Sequence, residues 1–219
     1  MAITAKRPPR KETVGSQYIC FNKGLDGEWS ETFDEEVEKT SVVKSVKVSE
    51  NSETTDVYAS GEVYDSETTS GATQIEVEVV AFDVDTLAKM RGDKVGENGS
   101  IIKGGNGTRP YFAYGKVVKL KGGKVRFEWY PKCKLAENSD EVSTREDKSA
   151  EMNDTITINA YAFEPDGGKC LVVDTSSKKF PAGVTEEKFF AKPILKDSDL
   201  TTMNAMAMAS VREEPKASE

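Results

Sequence analysis

The chain has 219 residues and a formal net charge of -8, and this acidic balance disfavours a protein that grips DNA or an anionic membrane. It contains no histidine, so the commonest general base and the commonest zinc ligand are both missing. Its three cysteines, Cys20, Cys133 and Cys170, lack Cys-x-x-Cys spacing and indicate reduced thiols in a protein made in a cytoplasm, with a disulfide between two of them as the alternative.

Neither end of the chain shows strand periodicity. Residues 1–14 are basic, but no apolar segment follows them, so they predict a flexible arm and not a signal peptide. No segment approaches the length of a transmembrane helix. Residues 197–219 predict a flexible tail with a small patch at Met203, Met206 and Met208, which would alternatively order on a neighbouring subunit. One β-rich domain is predicted between the ends, over residues 15–196.

The first half of the domain contains weaker strand signals at residues 17–21, 42–48 and 57–64. Residues 45–59 predict two strands joined by a polar connection, and such a hairpin buries little within its own chain. Hydrophobic residues make up 37% of the chain, which is low for a self-contained globule. We therefore expect this hairpin to pack against another subunit, with an ordinary surface hairpin as the alternative; the candidate contact residues are Val46, Val48, Glu50, Asn51, Glu53, Thr55, Val57 and Tyr58.

The clearest alternation lies directly after this hairpin. Ile75, Val77 and Val79 alternate with Glu76 and Glu78, which predicts a strand with one apolar and one acidic face. A short helix is predicted next, over residues 83–91. Its signals are an N-cap at Asp83 or Asp85, Leu87 and Met90 on one face, and Gly92 as the stop.

The second half repeats the strand signal. Strands are predicted at residues 111–120, 124–129, 155–162 and 170–174, and glycine pairs at residues 122–123 and 167–168 predict hairpin turns because glycine accepts a positive φ. A second short helix is predicted at residues 185–191, with Thr185 as N-cap. Many strands with one or two short flanking helices predict a mainly β fold, a sandwich or barrel.

Candidate ligand sites are weak. The run Gly104-Gly105-Asn106-Gly107 lacks the Gly-Lys-Ser/Thr ending of a P-loop, and the acidic clusters at residues 35–38 and 137–151 lack the spacing of a calcium loop. We therefore predict no catalytic, cofactor-binding or metal site. A carboxylate-only hydrolase stays open, and so does a carbohydrate-binding β-sandwich that would use Trp29, Tyr58, Tyr64 and Tyr111.

Several blocks, taken in order, resemble the major tail protein (tail-tube) family of siphophages that infect Gram-positive bacteria. The resemblance covers residues 13–174 and depends on the order and spacing of the blocks more than on any one of them. The blocks are TVGSQY (13–18), VKVSENSETTDVYA (46–59), TQIEVEV (73–79), DTLAKMRG (85–92), RPYFAYG (109–115), GKVRFEWYPKCK (123–134) and DTITINA (154–160).

The resemblance implies a structural virion protein. It implies a β-sandwich or barrel flanked by a helix, and hexameric rings that stack around a tape-measure protein into a tube through which DNA passes. Initiator (distal tail) and terminator proteins are further implied partners, and no catalytic residues, cofactor or membrane are expected. A tube subunit of a contractile tail or a secretion system is the alternative. An acidic wall would let DNA slide without specific binding, and Glu76 and Glu78 are the candidate lumen residues.

Overall fold

The computed structural model describes residues 7–59, 61–105, 107–139 and 153–213. Ten strands and three α-helices follow one another in these ranges, together with a 3₁₀ turn at Leu25–Gly27. In chain order the elements are β1 Lys11–Phe21, β2 Glu38–Thr40, β3 Val43–Ala59, β4 Glu62–Val79, α1 Val84–Arg91, β5 Lys94–Val95, β6 Ile101–Ile102, β7 Phe112–Leu120, β8 Lys124–Ser139, β9 Asp154–Ala160, β10 Leu171–Asp174, α2 Glu186–Phe189 and α3 Asp197–Glu213.

One large antiparallel sheet dominates the fold, which confirms the mainly β prediction. Its strands run in the order β2-β1-β7-β8-β9-β4-β3, and β10 pairs with β8 outside this path. The long strand β8 changes partner along its length, because its first part pairs with β10 and its last part with β9. The sheet curls until its edge strand β3 and strand β1 flank one groove, so its main part forms an open barrel.

Two apolar cores lie on opposite faces of the β1-β7-β8 part of the sheet. Alternate residues of one strand enter different cores, as Ile19 and Tyr18 do on β1. The first core fills the inside of the curl and includes Ile75, Val77, Val79, Phe112, Tyr114, Ile156 and Ile158, with Met90 of α1. The second core holds Phe127 and Trp129 under a cover formed by Val184, Phe189, Phe190, Ile194 and Leu200.

Helix α1 forms as its sequence predicts. The Asp83 side chain accepts a hydrogen bond from the Thr86 backbone N–H at 2.9 Å, and Gly92 ends the helix in the left-handed region at φ 73°. Hydrogen bonds from Thr86 hold the pKa of Asp83 below its usual value. The cap and the stop therefore fix the position of α1 against the first core.

The structure corrects the predicted course of the hairpin. The polar stretch at residues 50–56 is not a connection: it lies inside β3, which continues to Ala59 and pairs with β4. The predicted strand at residues 57–64 instead contains the turn, where Gly61 has a φ of 84°. β-Branched Thr54 and Thr55 suit an extended chain, and the Ser-Gly dipeptide is the turn signal.

The structure also places regular elements inside both predicted terminal segments. β1 begins at Lys11, where it pairs with Leu120 of β7. Helix α3 begins at Asp197. Its residue Leu200 is buried in the second core and Met203 packs against that core, so the first turns of α3 belong to the body of the protein. The side chains of Met206 and Met208 lie outside the described residues, and the flexibility of the two ends stays a prediction.

Candidate assembly surfaces

A hairpin arm, defined here as residues 51–72, projects from the barrel. In β4, the residues from Thr73 to Val79 pair with β9. Between Thr73 and the hairpin turn, β3 and β4 pair only with each other. The charged residues of the arm are all acidic: Glu53, Asp56, Glu62, Asp65 and Glu67. The arm therefore carries negative charge without any compensating lysine or arginine of its own.

The tip of the arm exposes large apolar side chains. Tyr64 is 80% exposed and Tyr58 is 67% exposed, and Val57 and Val63 beside them are about half exposed. Exposed apolar groups that cluster in one place mark contact sites for other molecules. A tip of this composition is suited to contact with another protein surface.

The predicted contact residues divide between the body and the arm. Val46 and Val48 are partly buried and pack against the first core. The other described side chains of the predicted set, Glu50, Asn51, Thr55, Val57 and Tyr58, are exposed at the base of the arm or along it, and Glu53 lies in β3 with its side chain outside the described set. The structure thus brings six of the eight predicted residues onto the projecting hairpin or its base.

Lys169, which the sequence interpretation did not include, holds the base of the arm. Its Nζ donates to Ser70 Oγ at 2.6 Å and to the Gly71 carbonyl. Within the arm, Ser66 Oγ donates to Asp56 Oδ1 at 2.7 Å across the two strands. Lys169 is about a hundred residues from the arm in sequence, and no local pattern points to this contact.

The two candidate lumen residues lie on the outer face of β4, opposite the fully buried Ile75, Val77 and Val79. Glu76 is exposed and forms an ion pair of 3.7 Å with Lys47. Glu78 is partly buried and accepts hydrogen bonds from Ser45 Oγ at 3.1 Å and from the Asn153 side-chain amide at 2.7 Å. The predicted alternation is confirmed, but Lys47 partly neutralises the acidic face.

A comparison with known families decides the class of this protein. Residues 36–194 match the family described as phage tail tube protein. The chain belongs to the phage tail tube protein family. The match begins just before β2, ends after α2 and includes the whole arm. No curated protein matches the chain. The resemblance inferred from the sequence blocks is confirmed at the level of the tail tube, and the Gram-positive host stays a prediction.

The candidate sugar platform is not assembled in this tail tube protein. Tyr58 and Tyr64 lie at the tip of the arm, whereas Trp29 and Tyr111 lie together on the barrel under Lys132. The Lys132 Nζ is 5.0 Å from the centre of the Trp29 ring and 5.7 Å from that of Tyr111. Lysines that stack on both rings reduce the flat aromatic area that sugar binding needs.

The three cysteine thiols of the tail tube protein are free, and each is buried or partly buried. Burial raises the pKa of Cys20 and of Cys170 to about 12, so both remain thiols at neutral pH. In the described ranges, no three carboxylate or thiol side chains are placed to hold a metal ion. The predicted acidic cluster at residues 137–151 lies mostly outside these ranges. Among the described helices, none combines the length and the apolar character that a membrane span requires.

Proposed function

We propose that this chain is the major tail protein of a phage, forming hexameric rings that stack into the tube through which DNA is delivered. The family gives the structural role in the tail, a place in the virion and self-assembly with other tail proteins. The ring of six, the passage of DNA and the siphophage type are parts of the proposal. The subunit is synthesised in the host cytoplasm and acts without catalysis.

The hairpin arm is the observation that carries this proposal. It extends beyond the barrel, and its tip exposes two tyrosines and two valines that its own chain leaves uncovered. An isolated two-stranded hairpin is marginally stable in water, so contact with a neighbouring subunit would stabilise both the arm and the ring.

The outer face of β4 is the proposed wall of the lumen. Glu76 and Glu78 would meet a duplex that carries roughly one negative charge per 1.7 Å of its axis, and an acidic wall would not retain it. Lys47, paired with Glu76, reduces the negative charge of this wall without making it basic. Electron cryomicroscopy of an assembled tube tests this assignment, because an outward-facing Glu76 would overturn it.

The proposed partners follow from the tube. A tape-measure protein would fill the lumen during assembly, an initiator or distal tail protein would start the tube, and a terminator would end it. DNA would pass without specific recognition, consistent with the formal net charge of -8.

Negative-stain electron microscopy of the purified protein over a concentration series, with mass measurement in parallel, tests the function. Rings or hollow tubes are expected, either alone or after addition of the initiator and tape-measure proteins. A chain that stays monomeric with both partners present would overturn the proposal. Binding to a glycan array by that monomer would favour the carbohydrate-binding alternative.

The arm provides a specific variant for this experiment. Tyr58→Ser combined with Tyr64→Ser should abolish tubes and leave the monomer folded, because both side chains are exposed. Leu25→Ser is the matched control, since Leu25 is 82% exposed but lies on the 3₁₀ turn of the body. Tubes from the double variant would show that the arm tip is not an assembly contact.

A further inference from the structure

A cluster of basic side chains lies at the end of the barrel where β1 begins and β7 turns into β8. We name Arg10, Lys11, Lys121 and Lys124 the cationic corner. Lys11 pairs with Leu120, Lys124 pairs with the same residue from the other side, and the Lys121 backbone N–H donates to the Arg10 carbonyl at 2.8 Å. Backbone pairing therefore holds all four residues close together.

The cationic corner forms no ion pair within the described part of the chain. All four residues are exposed, and none forms an ion pair with a described carboxylate. The hairpin arm is the opposite case, since every charged residue in it is acidic. Two charged surfaces of opposite sign on one chain can pair between two copies of that chain.

A groove of about 340 Å³ adjoins the cationic corner and is shared by β1 and β3. Its lining combines the apolar residues Val14, Val46 and Val118 with the charged residues Lys11, Glu12, Lys44 and Lys116. The groove lies within the size range of small-ligand sites, roughly 300–1,000 Å³, so it has room for one aromatic side chain. An aromatic anchor in such a groove is the usual centre of a protein contact.

The floor of the groove contains a neutralised charge. Lys116 is 7% exposed and forms an ion pair with Glu128 at 3.2 Å across β7 and β8. Glu128 also accepts a hydrogen bond from the Tyr130 hydroxyl at 3.2 Å. Because the Lys116 charge is already paired, the attraction for an acidic partner comes from the rim at the cationic corner.

Resting on the proposed tube function, we propose that this groove receives the hairpin arm of a second copy of the chain. Tyr64 enters the groove between Val14 and Val46, and Glu62 and Asp65 face the cationic corner. A second aromatic and basic surface, at Lys132 and Lys134, fits less well. The two lysines there are already stacked on Trp29 and Tyr111, and Lys134 also donates to the Gly27 carbonyl.

Charge exchange tests the pairing. The arm variant Glu62→Lys/Asp65→Lys and the corner variant Lys11→Glu/Lys121→Glu should each raise the protein concentration needed for tube formation by roughly tenfold or more, because like charges then face each other. The variant that combines all four changes should recover most of this loss. Lys178→Glu/Lys179→Glu, at two exposed lysines elsewhere, is the matched control and should assemble like the wild type.

Disulfide trapping locates the contact independently. The double variant Glu62→Cys/Lys11→Cys, assembled into tubes and oxidised, should give a ladder of covalent oligomers. Each single variant should give no ladder. The native thiols Cys20 and Cys133 are fully buried and do not compete, and the partly buried Cys170 is replaced by serine in every trapping variant.

The outcomes separate this inference from the function on which it rests. If the wild type forms tubes and both charge variants assemble normally, the docking site is overturned and the tube function is retained. Failure of the combined variant to recover, with no ladder in the trapping experiment, would also overturn the docking site. A wild-type chain that forms no tube with its initiator and tape-measure proteins would overturn the function and the docking together.

Discussion

The two halves of β4 have the same backbone geometry and opposite surroundings. In residues 73–79, β4 lies between β3 and β9, and Ile75, Val77 and Val79 are fully buried on one face. In residues 62–70 it pairs with β3 alone, and Val63 and Tyr64 are exposed. The inner half obtains its stability within the chain, whereas the outer half has apolar side chains that the described chain leaves exposed.

This difference predicts that substitutions in the body change folding and that substitutions in the arm change assembly. The hydrophobic effect acts on whichever surface leaves water, within a chain or between chains. The variants below distinguish the two regions by comparing the free energy of unfolding of the monomer with the yield of tubes.

The largest expected effect is in the second core. Trp129 is fully buried, lies with its ring centre 5.2 Å from that of Phe190, and donates its Nε1–H to the Phe189 carbonyl at 3.1 Å. Trp129→Ala should lower the free energy of unfolding by about 3–5 kcal/mol, because it leaves a large cavity and an unpaired carbonyl. Urea unfolding of the monomer measures this. A loss below about 1 kcal/mol would mean that α2 and its neighbours do not form a true core.

The buried ion pair should give the next effect. Lys116→Met leaves Glu128 buried without its cation and should cost about 3 kcal/mol, whereas Lys116→Met/Glu128→Leu together should recover much of that loss. Lys47→Met is the surface control, because Lys47 and Glu76 are exposed and their pairing contributes at most about 1 kcal/mol. Equal losses for Lys116→Met and Lys47→Met would contradict the buried environment of the first pair.

The two halves of β4 offer a matched comparison at two valines. Val77 is fully buried and Val63 is 53% exposed. Val77→Ala should lower the free energy of unfolding by about 2 kcal/mol, and Val63→Ala by less than about 0.5 kcal/mol. Tube yield should show the reverse order once the proteins are compared at equal folded concentration. Similar stability losses at both sites would mean that the arm is packed within its own chain.

The inner half of β4 was predictable from sequence and the outer half was only partly so. Ile75, Val77 and Val79 alternate with glutamates, and a period of two fixes both the strand and its buried face. The arm lacks this constraint because neither of its faces is buried, so residues 50–56 resembled a connection and the turn at Gly61 was missed. Polar strands that are paired on one side carry little periodic signal.

The candidate surfaces follow the same rule. The arm was predicted as an inter-subunit hairpin because its polar composition can be recognised within one short segment of the sequence. The groove was not predicted, because Val14, Val46 and Val118 come together only when the sheet curls and brings β1 next to β3. Lys169 was missed for the same reason, since its partners Ser70 and Gly71 lie on a distant strand. Long-range curvature of a sheet is not encoded in any short window.

The smallest expected effect is at the boundary between the two regions. Lys169 attaches the base of the arm to the body through Ser70 Oγ and the Gly71 carbonyl. Lys169→Met should change the free energy of unfolding by less than about 0.5 kcal/mol, because the contact is exposed. It should nevertheless let the arm base open more often, with amide exchange there about fivefold faster if roughly 1 kcal/mol of local stability is lost.

Hydrogen exchange of the monomer measures this opening, and Lys188→Met, at an exposed lysine of α2, is the control. Faster exchange confined to the arm base would show that body and arm unfold separately and that Lys169 couples them. Unchanged exchange there would mean that strand pairing alone orients the arm. The direction in which the arm projects would then be a property of β3 and β4 themselves.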